Sequence, residues 1–277
     1  MPVLAVASGK GGTGKTTVSL ALAESLGKEV VFLDADVEEP NAHLFLKPDL
    51  EEEVPLFRTV PRVVEERCSF CGRCKEICRF NAMVVFPGTV LCFPELCHGC
   101  YGCFEVCEDK ALEEEKIPLG RLRTGRKGKI FLAYGMLEIG EAMASPLIKE
   151  LKRRYLAPEK PVIIDCPPGT ACPTLHAVRG ADFCLLVTEP TPFGLHDLEQ
   201  AAKAVKTLGV KAGVVINRAD QPFPPLYDFL DRERLPLLLE IPFSKEVARA
   251  YAQAKGLLAV LPELKAAFQN LWQKIFP

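Results

Sequence analysis

Three features that would place the chain in a membrane, outside the cell or on nucleic acid are missing from its 277 residues. It has no run of 18 or more apolar residues, so we expect no transmembrane helix. The N-terminus has no basic segment followed by a cleavable apolar one, which argues against a signal peptide. The formal net charge of −2 gives no reason to expect nucleic acid or a stable membrane anchor. We therefore expect a cytoplasmic protein.

Disulfides are also not expected, although the chain contains twelve cysteines. A protein without an export signal stays in a reducing compartment, where disulfides are rare. Eight of the cysteines lie at the tight spacing of metal ligands. We therefore expect these eight to hold metal.

A glycine-rich stretch near the N-terminus fits the phosphate-loop pattern G-x-x-x-x-G-K-[ST]. It lies between an apolar run, Val3 to Ala7, and an apolar-periodic run, Thr17 to Leu26, which predict a buried strand followed by a helix. Its backbone N–H groups and the helix N-terminus would bind phosphate oxygens. Lys15 would reach the β- and γ-phosphates of ATP, and the Thr16 hydroxyl would ligate Mg²⁺. The predicted ATP-binding residues of this loop are Gly9, Gly11, Gly12, Thr13, Gly14, Lys15, Thr16 and Thr17.

Aspartates follow two further apolar runs. Glu29 to Leu33 is predicted to be a parallel strand and precedes Asp34 and Asp36, while Val162 to Ile164 precedes Asp165. The carboxyl ends of parallel strands face the ligand crevice, so we expect Asp165 to reach the Mg²⁺ site. For Asp34 and Asp36, helix capping or a solvated turn is the alternative.

The second lysine of the loop, Lys10, directly follows its first glycine. This makes the stretch resemble the deviant phosphate loop of the MinD/ParA-type ATPases, a group that includes the nitrogenase iron protein. The resemblance implies an ATP-dependent homodimer in which Lys10 reaches the nucleotide of the partner subunit. It also implies that Asp34 supports the Mg²⁺ shell and that Asp36 positions the attacking water.

The same resemblance assigns residues later in the chain. The Pro-Pro-Gly segment after Asp165 resembles the second switch loop, whose glycine, Gly169, can offer its N–H to the γ-phosphate. Asn217 and Arg218 resemble the base-recognition position, where the asparagine amide contacts adenine, and Pro242 would line the base pocket. An asparagine at the end of a strand is also a common turn former, so that alternative stays open.

From about residue 61 the composition changes, and the cysteine pattern C-x₂-C-x₂-C-x₃-C occurs twice. Each cysteine of the second run lies 29 residues after its counterpart in the first. The repeat extends beyond the cysteines, because Ala82 and Met83 correspond to Ala111 and Leu112.

This repeat resembles a bacterial-type ferredoxin with two 4Fe–4S clusters, in which the fourth cysteine of each run binds the other cluster. The resemblance assigns one cluster to Cys68, Cys71, Cys74 and Cys107, and the other to Cys97, Cys100, Cys103 and Cys78. Zinc is the alternative, but three cysteines at a strict spacing are crowded for the usual separated pairs. Arg79 and Glu108 stand where ferredoxins commonly have proline, which bears on the local turn and not on the ligand set.

Together these features predict an α/β fold with a doubly wound, mostly parallel sheet of the P-loop NTPase type. A ferredoxin-like α+β module is predicted to be inserted at residues 61–112, between ATPase segments 1–60 and 113–277. The charged segment Glu113 to Lys129 is expected to form a solvated loop, or alternatively a docking patch for an acidic redox partner.

Smaller expectations concern the remaining thiols and the C-terminus. Cys92 is expected to be a packed thiol, and Cys166, Cys172 and Cys184 to be buried thiols. The run Leu261 to Phe276 has apolar residues at helical spacing and few basic residues, so we expect it to pack on the body of the protein and not to bind membrane.

Three functions fit the sequence. The first is an ATPase that couples a dimer cycle to electron transfer to an unidentified redox partner. The second is an iron–sulfur assembly protein that delivers clusters to an acceptor, although no cysteine lies beyond Cys184 to hold a labile shared cluster. The third is a spatial-organiser ATPase of the MinD type.

Overall fold

The computed structural model describes residues 2–156 and 159–277, which form eleven β-strands and ten α-helices. The strands are β1 (Val3–Ala7), β2 (Val30–Asp34), β3 (Asp49–Val63), β4 (Met83–Phe86), β5 (Thr89–Cys92), β6 (Leu112–Lys127), β7 (Ile130–Leu137), β8 (Val162–Asp165), β9 (Phe183–Thr188), β10 (Lys211–Asn217) and β11 (Leu237–Ile241). The helices are α1 (Lys15–Ser25), α2 (Ala42–Leu46), α3 (Arg73–Ile77), α4 (Gly102–Glu105), α5 (Ala144–Tyr155), α6 (Cys172–Val178), α7 (Pro192–Thr207), α8 (Pro224–Glu233), α9 (Lys245–Ala252) and α10 (Leu264–Ile275).

The chain divides into two compact units. Unit 1 comprises Met1–Glu53, Leu122–Met136 and Ala144–Pro277. Unit 2 comprises Val54–Arg121 and Leu137–Met143. Strands β3, β6 and β7 contribute residues to both units, so unit 2 is wider along the chain than the 61–112 module expected from the cysteine runs.

A mostly parallel sheet is the centre of unit 1. In the described residues, nine strands follow the order β11-β10-β9-β1-β8-β2-β7-β6-β3. Every neighbouring pair from β11 to β7 is parallel. Strands β1, β2 and β8 are apolar and buried along nearly their whole length, as expected for parallel strands covered on both faces. The predicted α/β fold is confirmed for this unit.

The last strands of the sheet run in opposite directions. Only Gly128 and Lys129 separate β6 from β7, and so short a connection joins antiparallel neighbours. Glu51 and Glu53 of β3 form ion pairs with Arg126 and Arg123 of β6 in reversed order, which makes β3 antiparallel to β6.

The charged segment Glu113 to Lys129 is therefore not a solvated loop, and that expectation is wrong. Most of it belongs to the 16-residue strand β6. Arg123 and Arg126 pair with glutamates of β3, and such cross-strand pairs stabilise a sheet. The sequence showed the charges but not their partners.

The C-terminal helix packs on the body of unit 1, as predicted. Phe268, Leu271 and Trp272 of α10 are at most 5% exposed and belong to the same apolar cluster as Leu22 of α1. The Gln269 amide also donates to the Ser25 carbonyl at the end of α1. Within residues 2–156 and 159–277, the helices are too short or too polar to cross a membrane.

Unit 2 contains a small hairpin and two short helices. Strands β4 and β5 pair in antiparallel register around the Pro87-Gly88 turn, as predicted, and Gly88 has φ of +80°. Helices α3 and α4 begin inside the two cysteine runs. Val60, Ala82 and Cys97 form a small buried cluster that holds these pieces together.

Candidate functional site

The phosphate loop joins β1 to α1, and its glycines have conformational reasons to be there. Gly12 and Gly14 have φ of +78° and +95°, in the left-handed region that favours glycine. At Gly9 a side chain is excluded, because a Cβ would lie 2.1 Å from the backbone oxygen of Asp197 in α7. The loop is thus packed tightly against α7.

An open cleft in unit 1 brings together many of the predicted nucleotide-binding residues. These are Gly11, Gly12, Gly14, Lys15, Thr16, Thr17, Asp36, Asn217, Arg218 and Pro242. The cleft has a further wall that the sequence did not indicate, formed by α9 and the segment before it, which includes Ser244, Val247 and Tyr251. The Ser244 hydroxyl accepts the N–H of Val247 and caps α9, and this local cap was the available signal for that helix.

Two aspartates meet below the loop because their strands are neighbours. Asp34 of β2 and Asp165 of β8 occupy paired positions, and both are buried. Neither carboxylate oxygen of Asp165 has a hydrogen-bond partner among the described residues. Burial raises the pKa of Asp165, while the Thr16 hydroxyl and the Lys15 ammonium act in the opposite direction. Since its oxygens accept no hydrogen bond in this geometry, the buried carboxylate fits the role of a ligand, direct or through water, for a cation such as Mg²⁺.

Asp34 differs from Asp165 in that its carboxylate accepts several hydrogen bonds. It accepts the backbone N–H groups of Asp36 at 3.2 Å and of Asn41 and Ala42 at 3.0 Å each. Burial and the neighbouring Asp165 carboxylate raise the pKa of Asp34. Since Ala42 begins α2, the helix-capping alternative describes the contacts of Asp34, and its support of the Mg²⁺ shell stays a prediction.

Asp36 lines the cleft and is half-buried. Burial raises the pKa of Asp36 to about 6, while the nearby Lys15 ammonium acts in the opposite direction. Asp36 therefore presents a partly desolvated carboxylate to the cleft, near the Lys15 ammonium.

Lys10 and Gly169 make contacts within the chain. The Lys10 ammonium lies 4.0 Å from Asp197 Oδ2, with 36% of its side chain exposed. The Gly169 N–H donates to the Ser8 carbonyl at 3.1 Å. This bond ties Gly169 to the residue before the phosphate loop, and its contact with a γ-phosphate stays a prediction.

The predicted base-recognition residues also have partners in the chain. The Asn217 amide donates to the Thr13 carbonyl at 2.8 Å and thereby ties the end of β10 to the phosphate loop. Arg218 has φ of +58° and forms an ion pair with Glu189 at 2.6 Å. Asn217 and Pro242 both line the cleft, and their contacts with a base stay a prediction.

A comparison with protein-family models agrees with this arrangement. The model described as the CobQ/CobB/MinD/ParA nucleotide binding domain matches residues 4–258 of the chain. The chain belongs to this family.

Relatives within the family match nearly the whole chain. An uncharacterized protein of Methanocaldococcus jannaschii is 30% identical over 98% of this chain and 95% of its own length. The septum site-determining protein MinD of a Synechocystis species is 25% identical over 99% of this chain and 88% of its own length.

A solved structure shares the fold of this CobQ/CobB/MinD/ParA member. The septum site-determining protein MinD from Pyrococcus horikoshii, complexed with Mg-ADP, has a TM-score of 0.61 and 20% identity. The match covers 99% of this chain and 96% of that one.

Unit 2 contains two small cavities, each lined by four cysteines. Cys68, Cys71, Cys74 and Cys107 line one cavity, and Cys78, Cys97, Cys100 and Cys103 line the other. In each cavity, three cysteines come from one run and the fourth from the other run. The fold thus brings together the same two sets of four cysteines that the ferredoxin resemblance assigns.

The arrangement of these thiols bears on what they can hold. Within residues 2–156 and 159–277, no three His, Cys, Asp or Glu side chains are grouped so as to hold a single metal ion. Each cavity nevertheless has four cysteines among its lining residues. Four thiolates are the donor set that a 4Fe–4S cluster takes, one on each iron atom.

The fourth cysteine of each run has the same hydrogen bond. The Ala82 N–H donates to Cys78 Sγ, and the Ala111 N–H donates to Cys107 Sγ, both at 3.3 Å. The 29-residue repeat is therefore present in the contacts as well as in the sequence. Such bonds orient a thiolate ligand and stabilise its negative charge.

The remaining cysteines differ from one another. Cys92 packs against Cys97, and burial raises the pKa of Cys92 to about 12. Cys166 and Cys184 are fully buried, as expected. Cys172 is exposed, so the expectation of a buried thiol is wrong for it. The reason is local, because Cys172 is the first residue of α6 and follows the exposed residues Thr170 and Ala171.

Proposed function

We propose that this chain binds Mg-ATP in the cleft of unit 1 and hydrolyses it. The observation that carries this proposal is the unpaired buried carboxylate of Asp165 next to the phosphate loop. Lys15 would bind the β- and γ-phosphates, Thr16 and Asp165 would hold Mg²⁺, and Asp36 would position the attacking water. The structure of the Pyrococcus horikoshii protein with Mg-ADP supports this choice of ligand.

The active form in this proposal is an ATP-dependent homodimer. Lys10 would leave Asp197, from which it is separated by 4.0 Å, and contact the nucleotide of the partner subunit. So long and partly exposed a contact contributes little to stability, so the exchange costs little.

We further propose that unit 2 holds two 4Fe–4S clusters. The two cavities support this, because each gathers four cysteines and a bond from the Ala82 or Ala111 N–H to one of the thiols. When bound, such clusters supply one-electron transfer. Cys68, Cys71, Cys74 and Cys107 would hold one cluster, and Cys78, Cys97, Cys100 and Cys103 the other.

The output of the ATP cycle has two candidates, and the comparisons favour the spatial-organiser alternative. Both the Synechocystis relative and the Pyrococcus horikoshii structure are named septum site-determining protein MinD. The cysteine cavities favour the other candidate, electron transfer, because spatial organisation by itself needs no cluster. Delivery of clusters to an acceptor has weaker support, since no cysteine lies beyond Cys184.

The ATPase proposal is tested with two variants that separate binding from turnover. Lys15→Ala should abolish ATP binding, because it removes the charge that faces the phosphates. Asp36→Ala should still bind ATP and hydrolyse it very slowly, because it loses only the group that positions water. Calorimetric binding and phosphate release measure the two properties. Normal turnover by Asp36→Ala would overturn the role given to that residue.

The cluster proposal is tested by anaerobic purification and metal analysis. Two clusters require about eight iron atoms per chain. Cys107→Ser should damage the cluster of the first cysteine run, although Cys107 belongs to the second. Stoichiometric zinc with little iron would overturn the proposal.

Electron transfer and spatial organisation differ in the property of the protein that ATP should change. Electron transfer predicts that ATP shifts the reduction potentials of the clusters. Identical potentials with and without ATP, together with an ATP-dependent position of a fluorescent fusion in cells, would favour the spatial organiser.

A further inference from the structure

A buried ion pair lies directly behind one of the cysteine ligands proposed for unit 2. The Arg58 Nε atom is 2.6 Å from Glu141 Oε2, and Arg58 Nη1 donates to the Cys97 carbonyl at 2.9 Å. Only 9% of the Arg58 side chain and 6% of the Glu141 side chain are exposed. The guanidinium therefore bridges the carboxylate and the backbone of Cys97.

The other contacts of this pair fix its position. Glu141 Oε1 accepts the backbone N–H groups of Ala142 at 2.9 Å and of Met143 at 3.0 Å. On the other side, a Cβ at Gly99 would lie 3.0 Å from the carbonyl of Thr59, the residue after Arg58. Strand β3 is thus held against the Cys97–Gly99 loop, with the cation closer to Cys97 than the carboxylate is.

The first cysteine run has no matching arrangement in the described residues. The corresponding region of β3 carries Arg62, whose partner is Glu113, and these side chains are 59% and 44% exposed. Water screens such a pair strongly, whereas a buried pair acts at a low effective dielectric. The electrostatic surroundings of the two cavities are therefore unequal, although their cysteine sets are equivalent.

We propose that Arg58 and Glu141 are positioning residues that set the reduction potential of the cluster held by Cys78, Cys97, Cys100 and Cys103 apart from that of the other cluster. The inference rests on the proposed two-cluster function. Reduction adds negative charge to the site. The Arg58 cation stabilises that charge and raises the potential, while the Glu141 carboxylate limits the effect.

The test exploits the opposite charges of the two residues. In the full-length holoprotein, Arg58→Gln leaves the buried carboxylate unbalanced and should lower the potential of this cluster. Glu141→Gln leaves the cation unbalanced and should raise it. The double variant should return close to the wild-type value. EPR-monitored redox titrations at pH 8 measure the potentials, and a Cys103→Ser chain, which loses this cluster, identifies which potential belongs to it.

Arg62→Gln is the matched control, because it removes an arginine from the same strand at an exposed pair. It should shift both potentials much less than Arg58→Gln does. Thermal unfolding of each apoprotein checks that the variants fold. A purely structural role predicts shifts of the same sign, or none, in Arg58→Gln and Glu141→Gln, and either result would overturn the inference. Absence of iron in the wild-type protein would instead overturn the proposed two-cluster function.

Discussion

At the scale of single residues, Asp165 shows how a nucleotide site can lower the stability of the folded protein. Its carboxylate is buried, and neither oxygen has a donor in the described part of the chain. Burying a charge without partners costs free energy unless a cation is bound. We therefore expect this carboxylate to lower the stability of the protein without Mg²⁺ and to raise its affinity for Mg²⁺.

Asp165→Asn should separate these two effects of the carboxylate. Without Mg²⁺ and nucleotide, the variant should unfold at a higher urea concentration than the wild-type protein. Its free energy of unfolding should rise by about 1–3 kcal/mol, because the buried charge is removed. Its Mg²⁺-dependent ATP hydrolysis should be lost. A less stable variant would show instead that the Thr16 and Ser19 hydroxyls already compensate the carboxylate.

Lys152 is the opposite case, a buried charge with several partners. Its ammonium donates to the carbonyls of His176, Ala177 and Arg179 at 2.9, 2.7 and 2.6 Å, at the end of α6. Burial lowers the pKa of Lys152, so the bonds have to compensate for desolvation.

Lys152→Met should lower the free energy of unfolding by about 2–4 kcal/mol, because three carbonyls lose a charged donor. Urea unfolding measures this loss. Lys149→Met, on the exposed face of the same helix, is the control and should change stability little. Equal effects of the two variants would mean that the bonds of Lys152 are replaced by water at no cost.

At the scale of elements, the junction between the phosphate loop and α7 depends on a missing side chain. Gly9→Ala should lower the free energy of unfolding of the nucleotide-free protein by about 1–3 kcal/mol, because a Cβ there overlaps the Asp197 backbone. Gly11→Ala is the control, since a Cβ at Gly11 has no atom within 4 Å among the described residues. Thermal unfolding compares the two. A similar loss of stability in both variants would show that the overlap with Asp197 is not its cause.

Elements with a strong local signal could be predicted from the sequence. β1, the phosphate loop and α1 were predictable because apolar periodicity and glycine spacing are local properties. The β4–β5 hairpin was predictable from its Pro-Gly turn. Strand β6 was not, because its alternating charges become favourable only opposite the glutamates of β3.

The residues of the candidate site likewise divide into those that could be predicted from the sequence and those that could not. The lysines, aspartates and cysteines were identifiable because each has a defined spacing or follows a strand. Tyr251 and the Arg58–Glu141 pair were not, since the fold brings them in from segments that carry no motif. Partners within the chain, such as Ser8 for Gly169, were equally invisible to sequence.

At the scale of the whole molecule, each chain of the proposed dimer supplies Lys10 to the ATP site of the other. Lys10→Ala should bind ATP and hydrolyse it roughly 10³–10⁵ times more slowly, because a cation supplied in trans contributes a factor of that size. Asp36→Ala should be similarly inactive for a different reason.

Mixing these two variants should restore activity, which phosphate release measures. In the mixed dimer, one site keeps its own Asp36 and receives Lys10 from the partner, so that site is whole. Mixed dimers that form but stay inactive would show that Lys10 does not act across the interface. Each variant mixed with itself is the control.

The position of β3 at the end of the strand order has a consequence for self-association. No described strand pairs with its outer side, so β3 is an open sheet edge. Asp49, Glu51, Glu52 and Glu53 are exposed along it, and Arg123 and Arg126 neutralise two of these four charges. The remaining negative charge repels a second edge of the same kind. This edge of the nine-stranded sheet is thereby protected from edge-to-edge pairing, which leaves other surfaces for two copies to meet.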